Sequence, residues 1–213
     1  MSKVLVVLPG WIGVEKDLQG IKDSAPQDTK ILMVDYKKIL SFGYLDKFNE
    51  NFLKYLEKNV SSKCILVGVS LGGIFAVKFA YSHPEKVEKL ILVDPEGIGR
   101  KNPTRELFNL VRSRILQRRE KAILSLDSIG EFFRELLLQI SLGLYACTEC
   151  ILSDLKSISV PLTFIWGEKD CVTSLADGRK MHEAAPNSKF VVLKGLGHDW
   201  IAYSPKHFWA NIT

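Results

Sequence analysis

A serine hydroxyl becomes a useful nucleophile only when a nearby base can take its proton and a third group orients that base. Three stretches of the chain carry the residue types for this task. Gly68-Val69-Ser70-Leu71-Gly72-Gly73 follows an apolar run and opens a helix-period segment. It therefore reads as a sharp strand-to-helix turn that presents the Ser70 hydroxyl, with glycines that let neighbouring backbone come close. Trp166-Gly167-Glu168-Lys169-Asp170 places a carboxylate just past a second apolar run, and Gly195-Leu196-Gly197-His198-Asp199 places an imidazole just past a third. Ser70, Asp170 and His198 are separated by 100 and 28 residues, so only a fold that gathers strand ends could unite them. A parallel sheet does so, because the loops that follow its strands all leave at one edge.

The elements needed for such a sheet are legible. Short runs rich in Val, Ile and Leu alternate with helix-period segments almost from end to end, the pattern of strand-helix units. Strands are predicted at Lys3–Leu8, Lys30–Asp35, Cys64–Val69, Val87–Asp94, Leu162–Trp166 and Lys189–Leu193. Their lack of polar alternation implies burial on both faces. Helices are predicted at Lys16–Ser24, Leu45–Asn59, Leu71–Ser82 and Leu175–Ala185, with a last one after Pro205. The fold class is α/β: a mainly parallel sheet of about six strands with helices on both faces.

One interval departs from the rhythm. About 65 residues without a strand signal separate Asp94 from Pro161, and their apolar spacing is helical. Phe108, Val111, Ile115 and Ala122 fall on one stripe, and a second helical block runs from Glu131 to Ile151, with Phe132, Phe133, Leu136, Leu137, Leu138 and Leu144 as its packing face. Too long for a plain connection, the insertion at about 97–156 is a candidate lid within a single domain spanning 1–213. It also holds most of the charge asymmetry. The chain of 213 residues has a formal net charge of +5, while residues 100–121 alone hold eight basic and two acidic side chains. Arg105, Arg112 and Arg119 line one flank of the stripe, and Arg114, Arg118 and Lys121 the other. Such a segment is a solvated face whose aliphatic stems cover apolar surface, or an attractor for an anionic substrate or membrane surface. No motif accompanies the charge that would direct it to nucleic acid.

With these motifs in register, the chain resembles the α/β-hydrolase fold proteins of the single-domain, lid-bearing esterase and lipase type over residues 3–212. The resemblance rests on Gly68 to Gly73, Gly167 to Asp170, Gly197-His198, Ser82-His83-Pro84-Glu85-Lys86-Val87 and Leu90 to Pro95. The order Ser, Asp, His agrees with that family. The resemblance implies a triad of Ser70, Asp170 and His198, with Asp94 as the rival acid because some members take the carboxylate from that earlier strand end. It further implies an oxyanion hole made by the backbone N–H groups of Leu71 and Trp11, the latter in the loop Pro9-Gly10-Trp11-Ile12-Gly13. Members often carry His-Gly where Pro9-Gly10 stands. The common D-x-x-G-x-G-x-S pattern after the next strand is replaced by Asp35-Tyr36-Lys37-Lys38. Lys3–Leu8 corresponds to the family's third strand, so the usual opening antiparallel pair is missing.

The implied activity is a cofactor-independent, metal-independent serine hydrolase that cleaves a carboxylic ester or thioester with a largely apolar part. Its activity is expected to fall below about pH 6–7 as the histidine protonates. The alternatives are a slow-turnover, receptor-like binding protein, or a carbon–carbon hydrolase, lyase or perhydrolase on the same triad. His83, His182 and His207 read as structural or solvent-facing, and Asp199 as a surface or gating residue. Cys64, Cys147, Cys150 and Cys171 read as buried reduced thiols, since Cys147 and Cys150 have no second pair or nearby histidine to complete a metal site. The short apolar run after Met1-Ser2-Lys3 lacks the plan of a secretory signal, and Phe132 to Leu152 is interrupted by charges. The expected location is cytoplasmic, with peripheral membrane contact through the basic segment as an option.

Overall fold

The computed structural model describes residues 3–11, 18–39, 47–99, 102 and 136–212. The strands are β1 (Lys3–Leu8), β2 (Thr29–Met33), β3 (Cys64–Val69), β4 (Val87–Val93), β5 (Leu162–Gly167) and β6 (Lys189–Leu193). They form one sheet in the order β2-β1-β3-β4-β5-β6, and each neighbouring pair is parallel. The helices are α1 (Gln19–Asp23), α2 (Phe48–Asn59), α3 (Leu71–Ser82), α4 (Leu136–Thr148), α5 (Leu152–Leu155), α6 (Leu175–Ala184), α7 (Trp200–Tyr203) and α8 (Pro205–Ile212).

Because successive strand side chains point to opposite faces, the apolar runs supply two cores at once. Val6, Leu8, Leu66, Leu90, Leu92, Phe164 and Trp166 face α2, α3, α4, α5 and α6. Leu5, Val7, Ile65, Val67, Ile91, Val93 and Ile165 face α1, α7 and α8. The helices show why they lie where they do. In α2, Phe48, Phe52 and Leu56 recur every four residues and are buried, and Phe48 stacks on Phe75 of α3 with centroids 4.3 Å apart. By contrast α3 is apolar all round, which suits a helix enclosed between the sheet and other helices.

The expectation of strands buried on both faces holds for β3 and β5, which are buried throughout, but not for β2 and β6. These two are the sheet's edges, and an edge strand lacks a neighbour to cover its open side. The predicted starts of α1 at Lys16 and α2 at Leu45 fall outside the described residues. The described part of the block expected over Glu131–Ile151 contains α4 and, at Cys150, a short bridge to Ile98; the single turn α5 follows just beyond it. The basic segment 100–121, the stripe from Phe108 to Ala122 and the pair Phe132-Phe133 lie outside the described residues, as do Ile12 and Gly13. Among the described residues no helix is long and apolar enough to cross a membrane.

The topology decides where a site can form. From β1 the chain moves outward to β2, then returns to place β3 on the other side of β1. The loops after β1 and β3 therefore part over the carboxyl edge of the sheet and leave a crevice between them. The turns bearing Trp11 and Ser70 lie at that switch point.

Candidate active site

Ser70 links β3 to α3 in a backbone conformation that side-chain-bearing residues rarely adopt, with φ 51° and ψ −118°. Surrounding hydrogen bonds hold it there: its N–H donates to Val93 O, and its carbonyl accepts from the N–H groups of Gly73 and Glu96. The flanking glycines are required by close approach. A Cβ on Gly68 would lie 2.7 Å from Gly72 O and Gly73 Cα, and one on Gly72 would collide with the carbonyls of Leu8 and Pro9.

The side chains predicted to converge do so. His198 Nε2 lies 3.0 Å from Ser70 Oγ, and His198 Nδ1 lies 2.7 Å from Asp170 Oδ2. All three residues are buried. Since an ionised carboxylate can only accept, in the neutral imidazole Nδ1 carries the proton and donates to Asp170, and it is this form whose Nε2 lone pair can accept from Ser70 O–H. The loop after β5 holds Asp170 firmly. Its Oδ1 accepts from Val172 N–H at 2.7 Å and Thr173 N–H at 2.9 Å, and its Oδ2 accepts from Thr173 Oγ1 at 2.6 Å. The Thr173 hydroxyl is also 3.2 Å from Asp94 O and 3.3 Å from His198 Nδ1.

The two candidate acids are held differently. Asp94, at φ 43°, aims its Oδ1 at Gly167 N–H at 2.8 Å and is not hydrogen-bonded to the imidazole, whereas Asp170 is. Asp94 thereby ties the end of β4 to the end of β5. Its Oδ2 lacks a partner of full hydrogen-bond geometry, with the Trp200 indole N–H the stabilising dipole beside it. Burial, and then the charge of Asp170, push the Asp94 carboxyl well above the usual carboxylate range, against the weaker opposing pull of His198 and the Gly167 N–H.

For His198 the largest single influence, burial, acts to lower its pKa. The charge and hydrogen bond of Asp170, aided by Asp199 and Asp94, outweigh it and raise the imidazole from 6.5 to about 10. The expected loss of basicity below about pH 6–7 is thus displaced upward. The physical reason is that an imidazolium beside a buried carboxylate is stabilised by its charge. It also gives Asp199 an electrostatic part that its expected surface role did not include.

Asp94, Asp170 and His198 form the only group of three or more His, Cys, Asp or Glu among the described residues whose donor atoms all lie within 4.8 Å of one another. Apart from Asp94 Oδ2, the atoms that a metal would use there are engaged in the hydrogen bonds just described. The remaining histidines lie elsewhere: His182 Nδ1 contacts Ser188 Oγ at 2.8 Å, and His83 packs on Phe79. Cys64 and Cys147 are buried, but Cys150 is exposed and Cys171 half-buried, so the expectation of four buried thiols fails for two. Both sit in connections and not in the core.

Leu71 opens α3, so its N–H has no acceptor within the helix. The loop after β1 lies against the nucleophile, since a Cβ on Gly10 would be 3.1 Å from Ser70 Cβ and 3.7 Å from Ser70 Oγ. Half-buried Trp11 packs its indole on α4, where a Cβ on Gly143 would be 2.7 Å from Trp11 Cζ2. Three features of the site were missed by sequence reasoning: Thr173 as a partner of Asp170, Asp94 as a tie between strands, and Tyr36, whose O–H donates to Pro9 O at 2.7 Å. Only Thr173 had a local signal, a hydroxyl three residues after an aspartate.

Comparison with known proteins agrees with this arrangement. A family described as serine aminopeptidase, S33, matches residues 43–202. The chain is 24% identical to a pimeloyl-acyl-carrier-protein methyl ester esterase of Nitrosomonas europaea, covering 96% of this chain and 92% of the relative. It is 25% identical to the protein of the same description from Aeromonas hydrophila, covering 96% and 91%. Among solved structures, a bromoperoxidase from Bacillus anthracis superposes with a TM-score of 0.74 at 19% identity, covering 98% of this chain and 89% of that one. At that identity the likeness shows the fold alone. The family match spans the Ser70, Asp170 and His198 motifs, and the chain belongs to the serine aminopeptidase S33 family of α/β-hydrolases.

Proposed function

We propose that the chain is a serine hydrolase that cleaves a carboxylic ester or thioester through an acyl-enzyme. The observation that carries this reading is the continuous relay from Ser70 Oγ to His198 Nε2 at 3.0 Å and from His198 Nδ1 to Asp170 Oδ2 at 2.7 Å, mounted on a strained turn. Ser70 Oγ attacks the substrate carbonyl carbon as its proton passes to His198 Nε2. Asp170 stabilises the imidazolium that forms. The backbone N–H groups of Leu71 and Trp11 receive the carbonyl oxygen as it becomes an oxyanion. His198 then protonates the departing alcohol or thiol, and water activated by the same imidazole releases the acid and restores Ser70.

The surroundings support a largely apolar substrate. Leu138, Leu142 and Ala146 of α4 are buried with Phe75 in the same apolar cluster as Leu71, which suits an acyl chain and not a polar one. The two relatives named for methyl esters of a carrier-bound acyl group fit that preference. The eight basic side chains of residues 100–121 favour an anionic substrate, carrier or membrane surface.

A panel of p-nitrophenyl esters of increasing acyl length, with fluorophosphonate labelling, tests the proposal. The expected result is multiple turnovers, a preference for medium or long acyl chains, and labelling confined to Ser70. Ser70→Ala should lower kcat by about 10^4-fold or more. Tight ligand binding with negligible turnover overturns the hydrolase reading in favour of a binding protein.

A further inference from the structure

We infer that Tyr36 is a positioning residue for the oxyanion hole: it locks the Pro9–Gly10 peptide and so anchors the loop that carries the Trp11 N–H. The inference rests on the serine-hydrolase reading above. Tyr36 belongs to the short turn after β2, and its phenol reaches across the carboxyl edge of the sheet to donate to Pro9 O at 2.7 Å, a buried hydrogen bond. Its ring is held by Phe75, at a centroid distance of 5.5 Å. Phe75 belongs to α3, the helix that begins immediately after Ser70. One rigid aromatic side chain therefore connects the nucleophile's helix to the loop opposite it.

The held peptide immediately precedes the one that carries the Trp11 N–H. A trans peptide presents its C=O and its N–H in opposite directions, so the orientation of Pro9 C=O dictates that of Gly10 N–H. Proline fixes its own φ, but Gly10 restricts little, so a Pro9–Gly10 peptide left free to rotate would let Gly10 carry the following Gly10–Trp11 peptide, and with it the Trp11 N–H, away from Ser70. Gly10 itself must stay bare, because it packs on Ser70 Cβ. The loop therefore cannot gain rigidity from a side chain at position 10. The Tyr36 O–H supplies the restraint from one side, while Gly143 of α4 seats the Trp11 indole from the other. Loss of the phenol oxygen would leave a buried carbonyl without its donor, and the peptide would rotate to find another.

The test compares wild type with Tyr36→Phe, which keeps the ring on Phe75 and removes only the donor. Three quantities are read: kcat and KM for a p-nitrophenyl ester, the Ki of a trifluoromethyl ketone that forms a hemiketal oxyanion with Ser70, and the Ki of the methyl ketone of equal chain length, which binds without reacting. The expected result is a kcat lowered about tenfold with KM unchanged, trifluoromethyl ketone binding weakened by the same factor, and methyl ketone binding unmoved. A merely structural defect would weaken both ketones alike, and that outcome overturns the inference, as does a Tyr36→Phe enzyme equal to wild type. If Tyr36→Phe does not fold, 4-aminophenylalanine at position 36, a weaker donor at the same place, is measured instead against the same two outcomes. Turnover that survives Ser70→Ala removes the serine reading itself, and this inference with it. Failure at Tyr36 in a Ser70-dependent enzyme removes only the inference.

Discussion

Thr173 is where the account is most exposed to quantitative test. Its hydroxyl has one proton and three neighbours: Asp170 Oδ2 at 2.6 Å, Asp94 O at 3.2 Å and His198 Nδ1 at 3.3 Å. The shortest contact and the only one to a charged acceptor is Asp170, so the proton goes there. The carboxylate then has four donors: two backbone N–H groups, this hydroxyl and the imidazole. Thr173→Val preserves shape and deletes one of the four. A hydrogen bond to a buried charged acceptor contributes about 1.5–3 kcal/mol, so the variant should lose that much stability, a fall in Tm of roughly 3–12 °C at this chain length. Catalysis should respond in a way that simple destabilisation does not produce. A carboxylate deprived of one donor binds the remaining proton-bearing partner more tightly, which favours imidazolium over imidazole. Because one pKa unit corresponds to about 1.4 kcal/mol, the acid limb of kcat/KM should move up by as much as about one unit. Thr173→Ser should restore both Tm and the limb. The assay is kcat/KM against pH for the three proteins beside thermal denaturation. A Thr173→Val enzyme with the wild-type Tm and an unshifted limb would refute the assignment of Thr173 as a support of the acid.

Further expectations follow from the same geometry. The free enzyme's activity should fall as pH drops through the His198 pKa, since imidazolium cannot take the Ser70 proton; with that pKa raised from 6.5 toward about 10, a pH–rate profile should place the limb above 6.5, with activity still rising on the alkaline side of neutrality. Asp170→Asn should lower kcat by about 10^4-fold, whereas Asp94→Asn, which keeps an acceptor for Gly167 N–H, should retain most of it in the same ester assay. The Asp94 carboxyl is raised in the folded state, so the native protein binds the extra proton and loses stability as pH rises from the unfolded value near 3.8 toward the folded one. The Tm of Asp94→Asn relative to wild type should therefore increase from pH 4 to pH 8. Gly72→Ala should cost about 3 kcal/mol or more in denaturant unfolding, because its methyl meets the main-chain carbonyls of Leu8 and Pro9 and not a flexible side chain.

How far the sequence reaches can be judged element by element. The bounds of β1, β3, β6 and α3 agree with those expected from hydrophobic runs alone; for β1 and β3 this is because a parallel strand buried between helix layers leaves a block of Val, Ile and Leu with sharp ends. The single turns α5 and α7 escaped notice, since four residues are too few to show a helical period. The relay of Ser70, His198 and Asp170 was legible because each residue sits just past a recognisable strand end, and strand ends share an edge. Tyr36 and Asp94 were not legible in their roles. Tyr36 meets Pro9 across 27 residues and Asp94 meets Gly167 across 73, and both contacts depend on the relative heights of neighbouring loops, which no periodicity encodes. The missing D-x-x-G-x-G-x-S pattern marked the place where the chain departs from its relatives. What fills that place, a phenol that donates to Pro9 O in the loop after β1, became visible only with the side chains in position.

The central claim is that Ser70 carries the acyl group between two halves of one reaction. The most direct measurement is intact-protein mass spectrometry after rapid mixing with a slowly deacylated p-nitrophenyl ester, followed by peptide mapping. The account predicts a transient adduct with the mass of the acyl group, located on the peptide that contains Ser70, formed at the rate of the p-nitrophenol burst and absent from Ser70→Ala. Steady turnover with no adduct on Ser70, or an adduct that persists in Ser70→Ala, would contradict it.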